Sequence, residues 1–253
     1  MTIEEKIKAR VNLYAVLKNL EQLVVLDSEI KELIKDWDIS IEFRVKRGPV
    51  SSVEFKNGNC KVIKGKLKNV DVVFFFLSES HLNKMFDGNA NPIPLRGFTK
   101  LGFLDKEFSK VTDKLEYYLK PTPELLSDNE YQRINTIFTL TTAVNALPVI
   151  MEFDPKAKLT GTHLTKGSLF INVENGPKAF INTDKNFIEV GEGNSTDSTC
   201  EMIIKDINIA NKFFNGGVDV FSALAKQDIK IEGQTYLLDN IGLILDRIPI
   251  YVN

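Results

Sequence analysis

The chain has 253 residues, of which 43% are hydrophobic and 26% charged, the make-up of an ordinary folded domain or pair of domains. A formal net charge of −2 argues against nucleic acid as a partner. Two isolated cysteines, Cys60 and Cys200, supply neither a disulfide framework nor a zinc site, and they read as strand residues rather than nucleophiles.

Residues 3–36 carry apolar side chains at helical spacing (Ile7, Val11, Tyr14, Leu17, Leu20 and Val24), with Asp27 and Ser28 as a break. The charged start Met1–Arg10 reads against a signal peptide, and the longest apolar run, Val70–Leu77, is too short to span a bilayer. A cytoplasmic setting is the expectation. The period then changes to two. Ile39, Ile41, Phe43 and Val45 alternate with Ser40, Glu42, Arg44 and Lys46, which predicts a half-buried strand. Gly48-Pro49 is a turn, Val50–Phe55 a second strand, and Lys56-Asn57-Gly58-Asn59 a hairpin signal. Cys60–Gly65 and Val70–Leu77 are the third and fourth strands. Ser78 caps a short helix that stops at Gly88. Leu101–Leu104 is expected as a fifth strand and Phe108–Leu119 as a closing helix.

The same text then recurs. Gly48-Pro49 returns as Gly176-Pro177, an offset of 128 (176 − 48). Asn83-Lys84-Met85-Phe86-Asp87-Gly88 returns at that offset as Asn211-Lys212-Phe213-Phe214-Asn215-Gly216. Val45, Val62 and Gly65 match Val173, Val190 and Gly193 in the same register. So long a period implies two whole domains rather than solenoid units. The expected division is 1–121 and 122–253, at the prolines of Lys120-Pro121-Thr122-Pro123. Upstream, Arg10-Val11-Asn12 resembles Arg133-Ile134-Asn135 at an offset of 123 (133 − 10). Five residues are therefore inserted in the second copy, and Lys156–Thr165 is the expected place. At the tail, Tyr117-Tyr118-Leu119 is matched to Leu245-Asp246-Arg247. In the second copy Leu169–Val173, Lys178–Thr183, Phe187–Gly191, Cys200–Lys205 and Ile229–Ile231 are strands. Asp206 caps the short helix, and Tyr236–Ile248 is the last one. The class is α+β, with an antiparallel sheet of about five strands packed by helices in each copy.

This order resembles the sterol carrier protein type 2 family. The resembling residues are the turn Lys56-Asn57-Gly58-Asn59, the strand Val72–Leu77 and the stretch Leu82–Gly88, followed by the linker Asn91–Phe98 and the strand Lys100–Leu104. In the second copy they are Glu201–Gly233, where Gly233 supplies the small residue that ends the family's last strand. Gly102 fits that place less well. The resemblance implies two tandem sterol-carrier-like domains, a lipid, fatty acyl or sterol-like ligand, no metal, no cofactor and no chemistry. Some members of the family serve instead as accessory or dimerisation domains.

No catalytic motif is present: neither a Gly-x-Gly-x-x-Gly loop, a Walker loop nor a Gly-x-Ser-x-Gly elbow occurs. His81 and His163 read as surface or boundary histidines, and the spacing of Asp184, Glu189 and Glu192 fits no calcium cage. A ligand tunnel between the sheet and the short helix would be walled by Phe74, Phe76, Phe86, Phe98 and Phe103 in the first copy. Its walls in the second would be Met202, Ile204, Phe214, Phe221, Leu224 and Ile231. The alternative is an interaction module whose cores these residues simply fill. Because Val73, Phe75 and Leu77 leave the fourth strand without a polar face, both of its faces are expected to be covered, more so than at Glu201, Ile203 and Lys205. Lys61, Lys64, Lys66 and Lys68 leave room for a transient contact with an anionic membrane surface, although an edge strand guarded against pairing explains them better. Glu189 and Glu192 at the places of Lys61 and Lys64 would suit a head-to-tail homo-oligomer.

Overall fold

A computed structural model describes residues 2–185, 187–195 and 197–252. The chain falls into two compact units that meet between Tyr117 and Tyr118.

The first unit opens with α1 (Ile3–Val11), started by a reciprocal cap: the Thr2 hydroxyl accepts from the Glu5 N–H and the Glu5 carboxylate accepts from the Thr2 N–H. A π-helical turn (Asn12–Val16) leads into α2 (Asn19–Leu26). Asp27 breaks the run and caps α3 (Ser28–Leu33), accepting from the N–H groups of Glu29 and Ile30. Then come β1 (Asp38–Val45), β2 (Val50–Lys56), β3 (Asn59–Lys64) and β4 (Val72–Phe76). Ser78 caps α4 (Glu79–Phe86) as expected. After β5 (Ile93–Arg96) the chain passes through helical turns, including α5 (Leu101–Phe103), into α6 (Ser109–Leu119).

The second unit begins with one uninterrupted helix, α7 (Asn129–Phe153), which carries Pro148. It is long and apolar enough to cross a membrane, yet 72% of its apolar window is buried inside the protein, as suits a core helix. Asp154 caps α8 (Pro155–Gly161). There follow β6 (Gly167–Val173), β7 (Lys178–Asp184), β8 (Phe187–Glu192), β9 (Cys200–Ile204), α9 (Ile207–Phe214), α10 (Val220–Ala225) and β10 (Ile229–Gly233). α11 (Thr235–Leu245) and α12 (Pro249–Val252) close the chain.

The two sheets share one topology. The first runs β3-β2-β1-β4-β5, and the second β8-β7-β6-β9-β10. Even the registers agree: Ile41 opposes Val53 and Val72, while Leu169, 128 residues later, opposes Ile181 and Cys200. Each sheet is mixed rather than antiparallel throughout, because its central strand pairs in parallel with the strand before the short helix.

Several expectations need correction. The fifth strand of the first unit is Ile93–Arg96, and Leu101–Phe103 is helical. Pro92 and Pro94 made that segment read as a linker; at a sheet edge the missing N–H of Pro94 costs no ladder bond. Most of the inserted residues do not sit in Lys156–Thr165. Asp27 and Asp154 are equivalent caps 127 residues apart (154 − 27), so four of the five lie within α7 as about one extra helical turn. β1 is not half-buried, since Ser40 and Glu42 are 6% and 1% exposed. Ser40 bonds the Asp71 carboxylate and Glu42 Oε1 accepts from Arg44, while Glu42 Oε2 is buried without a hydrogen-bond partner among the described residues. The fourth strand of the first unit is covered on its second face only at Val73, for Phe75 is half-buried and Leu77 is 58% exposed.

Candidate functional site

Trp37, the one tryptophan of the chain, leaves the end of α3 with its N–H bonded to the Ile34 carbonyl. It therefore stands at the entry to β1, on the same apolar face as Ile39. Phe55 lies across the ladder from Ile39, and its ring meets Trp37 edge-on with centroids 5.3 Å apart. Phe103 also meets Trp37, at 4.8 Å and 70°. Phe108 continues the cluster, 6.1 Å from Phe55. Phe55 and Phe108 are buried, whereas Trp37 and Phe103 are half-exposed, so the cluster is core at one end and accessible at the other.

An open cleft of about 270 Å³ lies at the accessible end, lined by Asp36, Trp37, Asp38, Ile39, Thr99, Lys100 and Phe103. That is just under the usual range for small-molecule sites, about 300–1,000 Å³. Lys100 approaches Asp71 at 3.6 Å. Burial alone would raise the Asp71 carboxyl, but hydrogen bonds from the Ser40 hydroxyl and N–H, with the Lys100 charge, outweigh it and hold the group below the ordinary carboxylate range.

The second unit fills the same place. Gly167 is the counterpart of Ile39, and a Cβ there would come within 2.7–2.9 Å of the Thr199 hydroxyl, the Gln234 side chain and Leu237. Leu237 is 1% exposed. Thr165 stands where the first unit has Trp37, and its carbonyl accepts from the Thr183 hydroxyl.

The expected wall residues scatter. Phe74, Phe76, Met202 and Ile204 are buried core, with Phe74 against Phe43 and Phe76 against His81. Phe86, Phe214, Leu224 and Ile231 are half-buried. Phe98 and Phe221 stand in solvent at 64% and 83% exposure. Phe103 alone among them lines the cleft. Trp37, Asp36, Asp38, Thr99 and Lys100 were missed. The one available signal was a lone tryptophan between two aspartates at a helix-to-strand junction.

The histidine and cysteines have structural surroundings. The His81 ring accepts from the Leu77 N–H and lies 2.9 Å from the Asn91 carbonyl. Burial pushes both thiols up, away from the thiolate form.

No protein-family model and no curated protein matches the chain. Among solved structures it is similar to sterol carrier proteins, as the sequence led one to expect. The UbiJ-SCP2 ubiquinone synthesis protein matches at 13% identity and a TM-score of 0.33, over 41% of this chain and 89% of its own. Sterol carrier protein domain 2 of Helicoverpa armigera matches at 16% and 0.35, over 46% and 90%. Palmitated SCP2L2 from Aedes aegypti matches at 14% and 0.33, over 42% and 91%.

Proposed function

We propose that the chain is a non-enzymatic cytoplasmic protein that binds a hydrophobic small molecule or lipid in its first unit. The observation that carries this reading is the open cleft at Trp37 and Phe103, backed by the buried rings of Phe55 and Phe108. Half-exposed aromatic walls in a concavity are what an apolar ligand needs, and leaving them wet forgoes burial of about 25 cal/mol per Å². A second reading, an interaction module with filled cores, is favoured by the close burial of Phe74, Phe76, Met202 and Ile204.

Trp37 decides between them because it is both a cleft wall and the sole tryptophan. Brominated acyl chains are expected to quench its fluorescence saturably. Phe103→Ala is expected to weaken that binding with little loss of stability, since its ring is half-exposed. Phe55→Ala, fully buried, is expected to cost about 3–5 kcal/mol. Absence of saturable quenching by any acyl ligand would leave the filled-core reading standing.

A further inference from the structure

We infer that the ligand of this cleft is an amphiphile with a positively charged head, an alkylamine or quaternary ammonium, seated against Trp37 and Phe103. The inference rests on the hydrophobic-ligand reading and adds the charge of the head. The rings of Trp37 and Phe103 stand at 70° to each other, so they form two walls of a corner. A cation placed over an aromatic face within about 6 Å of its centre is attracted by the ring's quadrupole, most strongly for tryptophan.

Charge at the rim points the same way. Asp36 and Asp38 flank Trp37 and line the same cleft. Both residues are exposed, and no ion pair within 4 Å engages either among the described residues. The lysines beside the cleft make no ion pair with either aspartate. Lys35 bonds the Glu32 carboxylate at 3.3 Å, and Lys56 lies across the ladder from Asp38 without an ion pair to it. The one cation in the lining, Lys100, is drawn to Asp71. Asp71 stays ionised through its bonds to Ser40. The lining itself thus holds two carboxylates, Asp36 and Asp38, against one ammonium, Lys100. An anionic head would meet Asp36 and Asp38 and compete with Asp71 for Lys100, whereas a cationic head meets two carboxylates beside the rings of Trp37 and Phe103.

The test uses the full chain and Trp37 fluorescence. Dodecyltrimethylammonium, dodecyl maltoside and dodecanoate are titrated separately, below their micelle concentrations. The ammonium is expected to bind tightest and the carboxylate weakest, and added salt is expected to weaken the ammonium alone. The double substitution Asp36→Asn and Asp38→Asn is expected to weaken the ammonium about fivefold and leave the maltoside unchanged. Both residues are exposed, and far-UV ellipticity checks that the variant folds. Dodecanoate binding tightest, or a variant that leaves the ranking as it was, would overturn the cationic head while the hydrophobic-ligand reading survives. If none of the three changes Trp37 emission, both fail together.

Discussion

Asp27 and Asp154 perform the same two tasks in the two units. Each caps the short helix that precedes the sheet, and each holds a base from the C-terminal helical segment of its unit, Lys114 on α6 and Arg247 in the turn after α11. Lys114 reaches Asp27 at 3.2 Å. Arg247 reaches Asp154 through Nε at 3.0 Å and Nη2 at 2.9 Å, and the Tyr251 hydroxyl donates to the same oxygen at 2.5 Å. Lys114 is therefore the counterpart of Arg247, which corrects the match of Tyr117-Tyr118-Leu119 to Leu245-Asp246-Arg247. Burial by itself would raise the Asp154 carboxyl; the bonds from Tyr251, the Ala157 and Lys156 N–H groups and Arg247 outweigh it and lower the pKa. Asp154→Asn keeps a capping oxygen but loses the charge, and is expected to destabilise the second unit by about 2–3 kcal/mol. Asp27→Asn, whose partner Lys114 is shared with the exposed Glu29, is expected to cost about 1 kcal/mol. The sign with pH follows from the lowered pKa. The contribution of Asp154 is present above the unfolded value of about 3.9 and is lost as pH falls through the folded value. The gap between the native chain and Asp154→Asn should thus be wider at pH 6 than at pH 3, in urea unfolding followed by far-UV ellipticity. A gap that does not change with pH would rule the mechanism out.

At the scale of elements, the fifth strands show what a sequence register can and cannot carry. The offset of 128 holds from β1 through α4, and so it places the first four strands and the short helix of both units. Beyond α4 the second unit inserts α10, and the register shifts to 136 (233 − 97), so that Gly233 answers Gly97 rather than Gly102. Both Gly97 and Gly233 have left-handed backbones, at φ 87° and 86°. A Cβ on Gly97 would lie 2.8 Å from the Asp71 carbonyl oxygen, and one on Gly233 would lie 2.2 Å from that of Thr199. Each glycine lets the end of the edge strand approach its neighbour, which no larger residue allows. Gly97→Ala and Gly233→Ala are expected to destabilise their units by about 1–3 kcal/mol or more. Gly102→Ala sits in a helical turn with nothing within 4 Å of the new Cβ, and is expected to be neutral or to stabilise by up to about 1 kcal/mol. Chemical denaturation of the three variants checks this, and a loss at Gly102 equal to that at Gly97 would refute the assignment. The proline-bearing strand was illegible because an edge strand tolerates residues that a central strand forbids.

At the scale of the whole molecule, two copies of one topology differ at the place of the cleft, which the first unit lines with aromatic rings. Where the first unit has Trp37 and Ile39 the second has Thr165 and Gly167, with Leu237 packed beside Gly167. Isothermal titration with a ligand that quenches Trp37 is expected to give one site per chain; two equivalent sites would contradict the filled corner of the second unit. The sequence by itself determined the duplication, the α+β class, the two helix caps at Ser78 and Asp206, four strands of the first sheet and all five of the second. These follow from local alternation, turn chemistry and a constant spacing, all of which are written in neighbouring residues. Only the tertiary structure decided which aromatic residues are core, cleft or surface. Phe76, Phe103 and Phe221 are the same side chain in similar apolar surroundings along the chain, and they end up buried, half-exposed and 83% exposed. That outcome depends on what packs against each ring from distant segments, as Phe103 of the α5 turn does against Trp37, and no local pattern encodes it.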